Sequence, residues 1–71
     1  MTLQELGETI RLRRKELHMT QRQLADKADI DYQTVSTLEN GYKGPRWDTL
    51  MMVTEVLGLE VKVERRGEED E

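Results

Sequence analysis

The segment from Thr20 to Gly41 constrains this chain more than any other. Thr20 is followed three places on by Gln23, the pattern of a helix start in which the hydroxyl and the amide satisfy each other's backbone N–H groups. Leu24, Ala25 and Ala28 then recur as the buried stripe of a short helix ending near Ala28. Asp29 and Ile30 read as a turn. Asp31 is placed to cap a further helix that runs to about Asn40, with Val35 and Leu38 facing inward. A small Ala25 permits the two helices to cross closely, while Ile30 and Val35 fill the wedge between them. Gly41 ends the second helix, because glycine accepts a positive φ without strain.

Two short helices about three residues apart form a helix-turn-helix unit. Its inward residues determine what it presents outward. With Val35 and Leu38 in the core, Tyr32, Gln33, Ser36 and Thr37 fall at i, i+1, i+4 and i+5, one outward stripe that is polar, uncharged and able to hydrogen-bond.

The flanking sequence supplies the rest of a bundle. Leu3 to Leu17 reads as a first helix, with Leu3, Leu6, Ile10 and Leu17 at helical spacing and Arg13 or Arg14 between them. His18 stands where a left-handed helix-ending residue is expected. A loop runs from Asn40-Gly41 through Pro45. A fourth helix begins near Asp48 and ends near Leu57, with Leu50, Met51, Val53, Thr54 and Leu57 on its inner face and Gly58 as its stop. Leu59 to Glu64 alternates strictly, a strand pattern. Gly67 to Glu71 has nothing to bury and is expected to be a disordered acidic tail.

Size makes the core marginal. The chain has 71 residues, no cysteine and a single histidine, so neither disulfides nor a zinc site can reinforce it. One domain over residues 1–66 is expected, and oligomerisation is the remaining common way to add buried surface. The net charge of −4 argues weakly against nucleic acid, since Glu68, Glu69, Asp70 and Glu71 account for it and residues 1–66 balance to zero. A local basic face suffices for phosphate contact. The absence of a long apolar run or signal-peptide pattern leads us to expect a cytoplasmic protein with no membrane partner.

At this point the chain resembles a known family. Thr20-Gln21-Arg22-Gln23-Leu24-Ala25, Val35, Leu38-Glu39-Asn40-Gly41, Pro45, Asp48-Thr49-Leu50 and Leu57-Gly58-Leu59 are similar, at fixed spacing over about residues 6–59, to the phage-repressor and Cro-type (XRE-like) helix-turn-helix proteins. The resemblance implies an all-α, lambda-repressor-like bundle of four or five helices that binds operator DNA as a homodimer. The strand adds a narrower likeness to antitoxins of the HipB type, in which such a strand pairs across the dimer through residues matched here by Leu59, Val61 and Val63. That subtype would also bind a toxin protein. Carried onto this chain, the family's pattern has Gln21 touching a phosphate with side chain or amide. Tyr32 and Gln33 face base edges, and Thr37 lies one turn on. Asn40, Lys43 and Arg46 contact the backbone around the loop, and Arg22, Thr34 and Ser36 complete the DNA-facing set. The chemistry agrees: Gln pairs bidentately with adenine, Thr touches the thymine methyl, and Lys and Arg attract phosphate regardless of sequence. The family usually has Gly where this chain has His18 and Asp29. It also pairs the equivalent of Glu39 with a first-helix arginine, best matched by Arg14.

Plainer readings accompany these. Glu39 is a structural ion-pair member rather than a catalytic acid, and His18 a helix-end residue rather than a ligand. Trp47 is expected to cover the edge of the core, with a dimer or partner contact as the alternative. A lone strand needs a partner, and its symmetry mate is the simplest. Cross-strand charge favours a two-fold centred on Val61 or Val63 over one on Lys62, which would oppose like charges. Two functions follow: a transcriptional regulator, a repressor by resemblance, or an interaction module of the same fold with little DNA binding. No nucleophile–base pair, phosphate loop or metal spacing supports an enzyme or a cofactor.

Overall fold

The computed structural model describes residues 1–63. Four helices follow in order: α1 (Leu3–Glu16), α2 (Gln21–Ala28), α3 (Tyr32–Asn40) and α4 (Trp47–Leu57). The starts of α1 and α2 are set locally. Thr20 accepts from the Gln23 N–H at 3.0 Å while its own N–H donates to the Gln23 side chain at 2.8 Å. Thr2 and Glu5 form the same reciprocal pair at the start of α1, from a Thr-x-x-Glu signature that was present in the sequence. Asp31 stands at the N-cap of α3 but makes no side-chain capping bond, so it is a cap by position only.

The stops are set by left-handed residues. Gly41 and Gly58 close α3 and α4, both at φ 71°. His18 and Asp29, the two positions where the resemblance led us to expect glycine, have φ of 58° and 59°. Asp29 closes α2, and its neighbour Ile30 donates its N–H back to Ala25 O at 2.9 Å.

The core is Ile10, Leu24, Ala25, Ala28, Val35, Leu38, Val53 and Leu57, with Leu6, Met19, Ile30, Leu50, Val56 and Leu59 packed on its margin. Helix α3 packs on α1 and α2, and α4 packs on α2 and α1. Ala25, Ile30, Val35 and Leu38 therefore lock α2 to α3 as the sequence pattern required. Helix α1 departs from its expected stripe. Leu3 and Leu17 are exposed, and the buried positions are Gly7, Ile10 and Arg14. Ile10 and Leu6 keep their expected inward places, but an apolar pattern alone misses the other two buried positions, because one is a glycine and the other is charged. Met51 is likewise exposed: the inner face of α4 is Leu50, Val53, Thr54 and Leu57, and Met51 lies beside it. Trp47 does not cover the core edge, since it is 60% exposed.

Residues 59–63 form no strand, and no strand edge is present among the described residues for them to pair with. Leu59 donates to Thr54 O at 2.9 Å, continuing the turn that leaves α4. Leu59 and Val61 are half-buried along a groove shared with Leu3, Leu6 and Leu50, whereas Val63 is exposed. Glu64 and Arg65, the rest of the expected strand, and the acidic tail at 67–71 lie outside the described residues. No helix among the described residues is long and apolar enough to cross a membrane.

Candidate nucleic-acid interface

A buried ion pair sets the position of α3. Arg14 on α1 meets Glu39 on α3 bidentately, Nε to Oε2 at 2.7 Å and Nη2 to Oε1 at 3.0 Å. Further hydrogen bonds tie the pair to its surroundings. Arg14 Nη1 donates to Met19 O at 2.7 Å, and Gln21 Nε2 donates to Glu39 Oε1 at 3.0 Å. The Glu39 side chain is 3% exposed, so both charges are desolvated and each depends on the other. The hydrogen bond that Arg14 donates to Glu39 raises the Arg14 pKa above its already high ordinary value; desolvation opposes this and the Glu39 charge adds to it. A folded pKa raised in this way contributes stability below the unfolded value and loses it only at strongly alkaline pH, so the pair is insensitive to arginine titration near neutrality.

This network joins α1, the turn at Met19, the start of α2 and the end of α3. Close packing reinforces it. A Cβ on Gly7 would lie 2.5 Å from Leu38 O and 2.6 Å from Glu39 O, so α1 and the last turn of α3 approach as nearly backbone to backbone. Arg13 completes the frame by donating from Nε to Leu57 O at 2.8 Å, holding the end of α4.

The frame presents α3 with Tyr32, Gln33 and Asn40 exposed and Thr34, Ser36 and Thr37 half-exposed. Gln33, Thr34 and Thr37 come together with Lys43 and Arg46 along an open cleft between α3 and the loop that follows it, closed below by Leu38, Pro45 and Thr49. Asp31 lines the same cleft. Arg46 stands 3.7 Å from Asp48 in an exposed pairing, too weak to hold it away from another anion. Ser36 and Asn40 face each other at 3.5 Å, at the far end of the stripe.

A second open groove lies at the start of α2. It gathers Gln21, Arg22 and Tyr32 with Lys15, His18 and Thr20. The Gln21 side chain is engaged by Glu39, which leaves its backbone N–H, in the unbonded first turn, as the group free to meet an anion. Helix α2 has neither an acidic N-cap nor an acidic residue in its first turn, so the positive end of its dipole is unopposed, whereas Asp31 stands at the N-cap of α3. Arg22 lies over the Tyr32 ring, 4.6 Å from its centroid, a contact that sequence spacing did not reveal. The ten residues expected to face DNA thus divide into two adjoining groups. Gln33, Thr34, Thr37, Lys43 and Arg46 form one; Gln21, Arg22 and Tyr32 form the other, with Ser36 and Asn40 at the margin. Leu59, Val61 and Val63 belong to neither.

Two short helices crossing at a small residue, the first burying Leu24, Ala25 and Ala28 and the second exposing a polar face beside Lys43 and Arg46, define a helix-turn-helix DNA-binding domain. The comparisons make this specific. The chain belongs to the helix-turn-helix family, whose model matches residues 10–63. That family comprises DNA-binding transcription regulators of the XRE type rather than enzymes. Seven chains of solved structures match. Among them, one named "MDT Protein" is 25% identical to this chain and superposes over 92% of each chain with a TM-score of 0.79. No curated protein matches.

Proposed function

We propose that this protein is a sequence-specific transcriptional repressor that binds a palindromic operator as a homodimer. The observation that carries the reading is the stripe Gln33, Thr34 and Thr37, uncharged and hydrogen-bonding, walled by Lys43 and Arg46. Uncharged donors and acceptors suit base edges, and cations at the border suit phosphates. In a two-fold dimer, two copies of α3 enter successive major grooves about one helical turn apart. Pairing of Leu59, Val61 and Val63 with the same residues of a second copy supplies the missing edge, with the axis at Val61 or Val63. Such a dimer resembles antitoxins of the HipB type, and a toxin protein is then a second partner; this subtype rests on the resemblance alone.

The test is DNA affinity against salt concentration. A DNA binder loses affinity steeply as salt rises. Gln33→Ala lowers discrimination between operator and random DNA, whereas Lys43→Ala weakens all sequences alike and flattens the salt slope by about one unit. If the wild type binds operator and random DNA equally and weakly, with no salt dependence, the rival reading of an interaction module prevails.

A further inference from the structure

We propose that Arg22, whose guanidinium lies over the Tyr32 ring and packs on it by its π face, reads a guanine in the major groove beside the base pair addressed by Gln33. The inference rests on the DNA-binding reading above and names one base within it. Arg22 is exposed on the first turn of α2, and no carboxylate among the described residues is within ion-pair distance of it. Its one recorded interaction is the Tyr32 ring, at 4.6 Å. Tyr32 is the first residue of α3, next to Gln33, and both members of the stack line the open groove at the α2 start.

A stacked guanidinium uses its π face and leaves its in-plane N–H groups free. Those N–H groups form the fork that matches O6 and N7 of guanine bidentately. Stacking also removes rotamer freedom before binding, so less is lost when the fork engages a base. A lysine at this place supplies the same charge without the plane or the fork. A phosphate contact needs only the charge and gains little from an aromatic that fixes the plane. Tyr32 is in this account a positioning residue, and its ring rather than its hydroxyl does the positioning.

The experiment begins with selection from a random duplex pool by the full chain, followed by affinity measurements on the selected site and its single-base variants. The wild type is expected to require one G·C pair next to the pair controlled by Gln33, with a loss of roughly 5- to 100-fold on its replacement. Replacing that base with 7-deazaguanine, which lacks N7, reproduces much of the loss. Arg22→Lys abolishes the preference at this pair alone and leaves the salt slope unchanged. Tyr32→Phe retains the preference, and Tyr32→Ala diminishes it. Retention of the guanine preference by Arg22→Lys overturns the proposal. So does an Arg22→Gln variant that binds every sequence more weakly by the same factor with a flatter salt slope, the mark of a phosphate contact. A wild type that selects no sequence and shows no salt dependence defeats the DNA-binding reading itself, and with it this one.

Discussion

Replacing Arg14 with Met tests whether the buried pair holds the recognition helix in place. The substitution leaves the Glu39 carboxylate, 3% exposed, with Gln21 Nε2 as its one remaining partner. Two charge-assisted bonds, at 2.7 and 3.0 Å, disappear, and the carboxylate they leave behind is largely desolvated. Breaking a buried pair from one side costs about 3–5 kcal/mol. A chain of this size has a total stability of roughly 4–10 kcal/mol, so the single variant is expected to lose from about a third to all of it. Each kcal/mol corresponds to about 4–8 °C in Tm for a domain this small. The double variant, Arg14→Met with Glu39→Met, removes both charges and fills the space with apolar atoms. It is expected to recover at least about 2 kcal/mol relative to Arg14→Met alone, because a buried pair replaced as a unit is often close to neutral. Urea unfolding followed by helical circular dichroism measures all members of the cycle, and Glu39→Gln serves as the milder single change if Arg14→Met does not fold. A double variant no more stable than Arg14→Met, or an Arg14→Met loss below about 1 kcal/mol, refutes the reasoning, since it means that Glu39 is solvated or paired elsewhere when Arg14 is gone.

Other outcomes follow from the same structure. Gly7→Ala gains about 1 kcal/mol in helix propensity, yet its Cβ meets backbone oxygens at 2.5 and 2.6 Å that cannot swing aside; a net loss of about 1–3 kcal/mol is expected, and a thermal melt showing a gain excludes the close α1–α3 approach. Asp29→Gly removes a left-handed non-glycine residue, φ 59°, and is expected to stabilise the fold by roughly 0.5–1 kcal/mol; an unchanged or lowered melting temperature contradicts it. Asp31→Asn removes an acid from the cleft shared by Gln33, Lys43 and Arg46, where it makes no capping bond. Binding to random DNA at low salt should tighten several-fold, with stability within about 0.5 kcal/mol of wild type; weaker binding means that the cleft does not face phosphate.

Most of the helix boundaries were legible because their causes lie within four residues. Thr20 with Gln23, and the glycines at 41 and 58, act on adjacent backbone, and the left-handed His18 and Asp29 follow from where their helices must stop. The crossing of α2 and α3 was legible too, since Ala25, Ile30, Val35 and Leu38 are near neighbours in the chain and belong to one compact unit. Of the candidate interface, Tyr32, Gln33, Ser36 and Thr37 could be read by subtracting the inward positions from α3, whereas Gln21, Asn40, Lys43 and Arg46 came from the family resemblance. The interface was not legible as two adjoining groups, and the alternation at 59–63 does not by itself make a strand, because a ladder needs a second edge.

What the order of residues determined alone was therefore local: where each helix starts, where it stops and which short helices must pack together. Tertiary structure decided the rest, because those choices depend on groups far apart in the chain. Arg14 is buried only because Glu39, 25 residues on, meets it; as a residue type it belongs at a surface. Gly7 matters only because the carbonyls of Leu38 and Glu39 pass within a Cβ of it. Trp47 and Met51 stay outside because Leu50, Val53, Thr54 and Leu57 already occupy the side of α4 that faces the core. Arg22 finds Tyr32 because the turn at Asp29 folds α2 back to the start of α3, and a sequence that names both residues cannot state the distance between them.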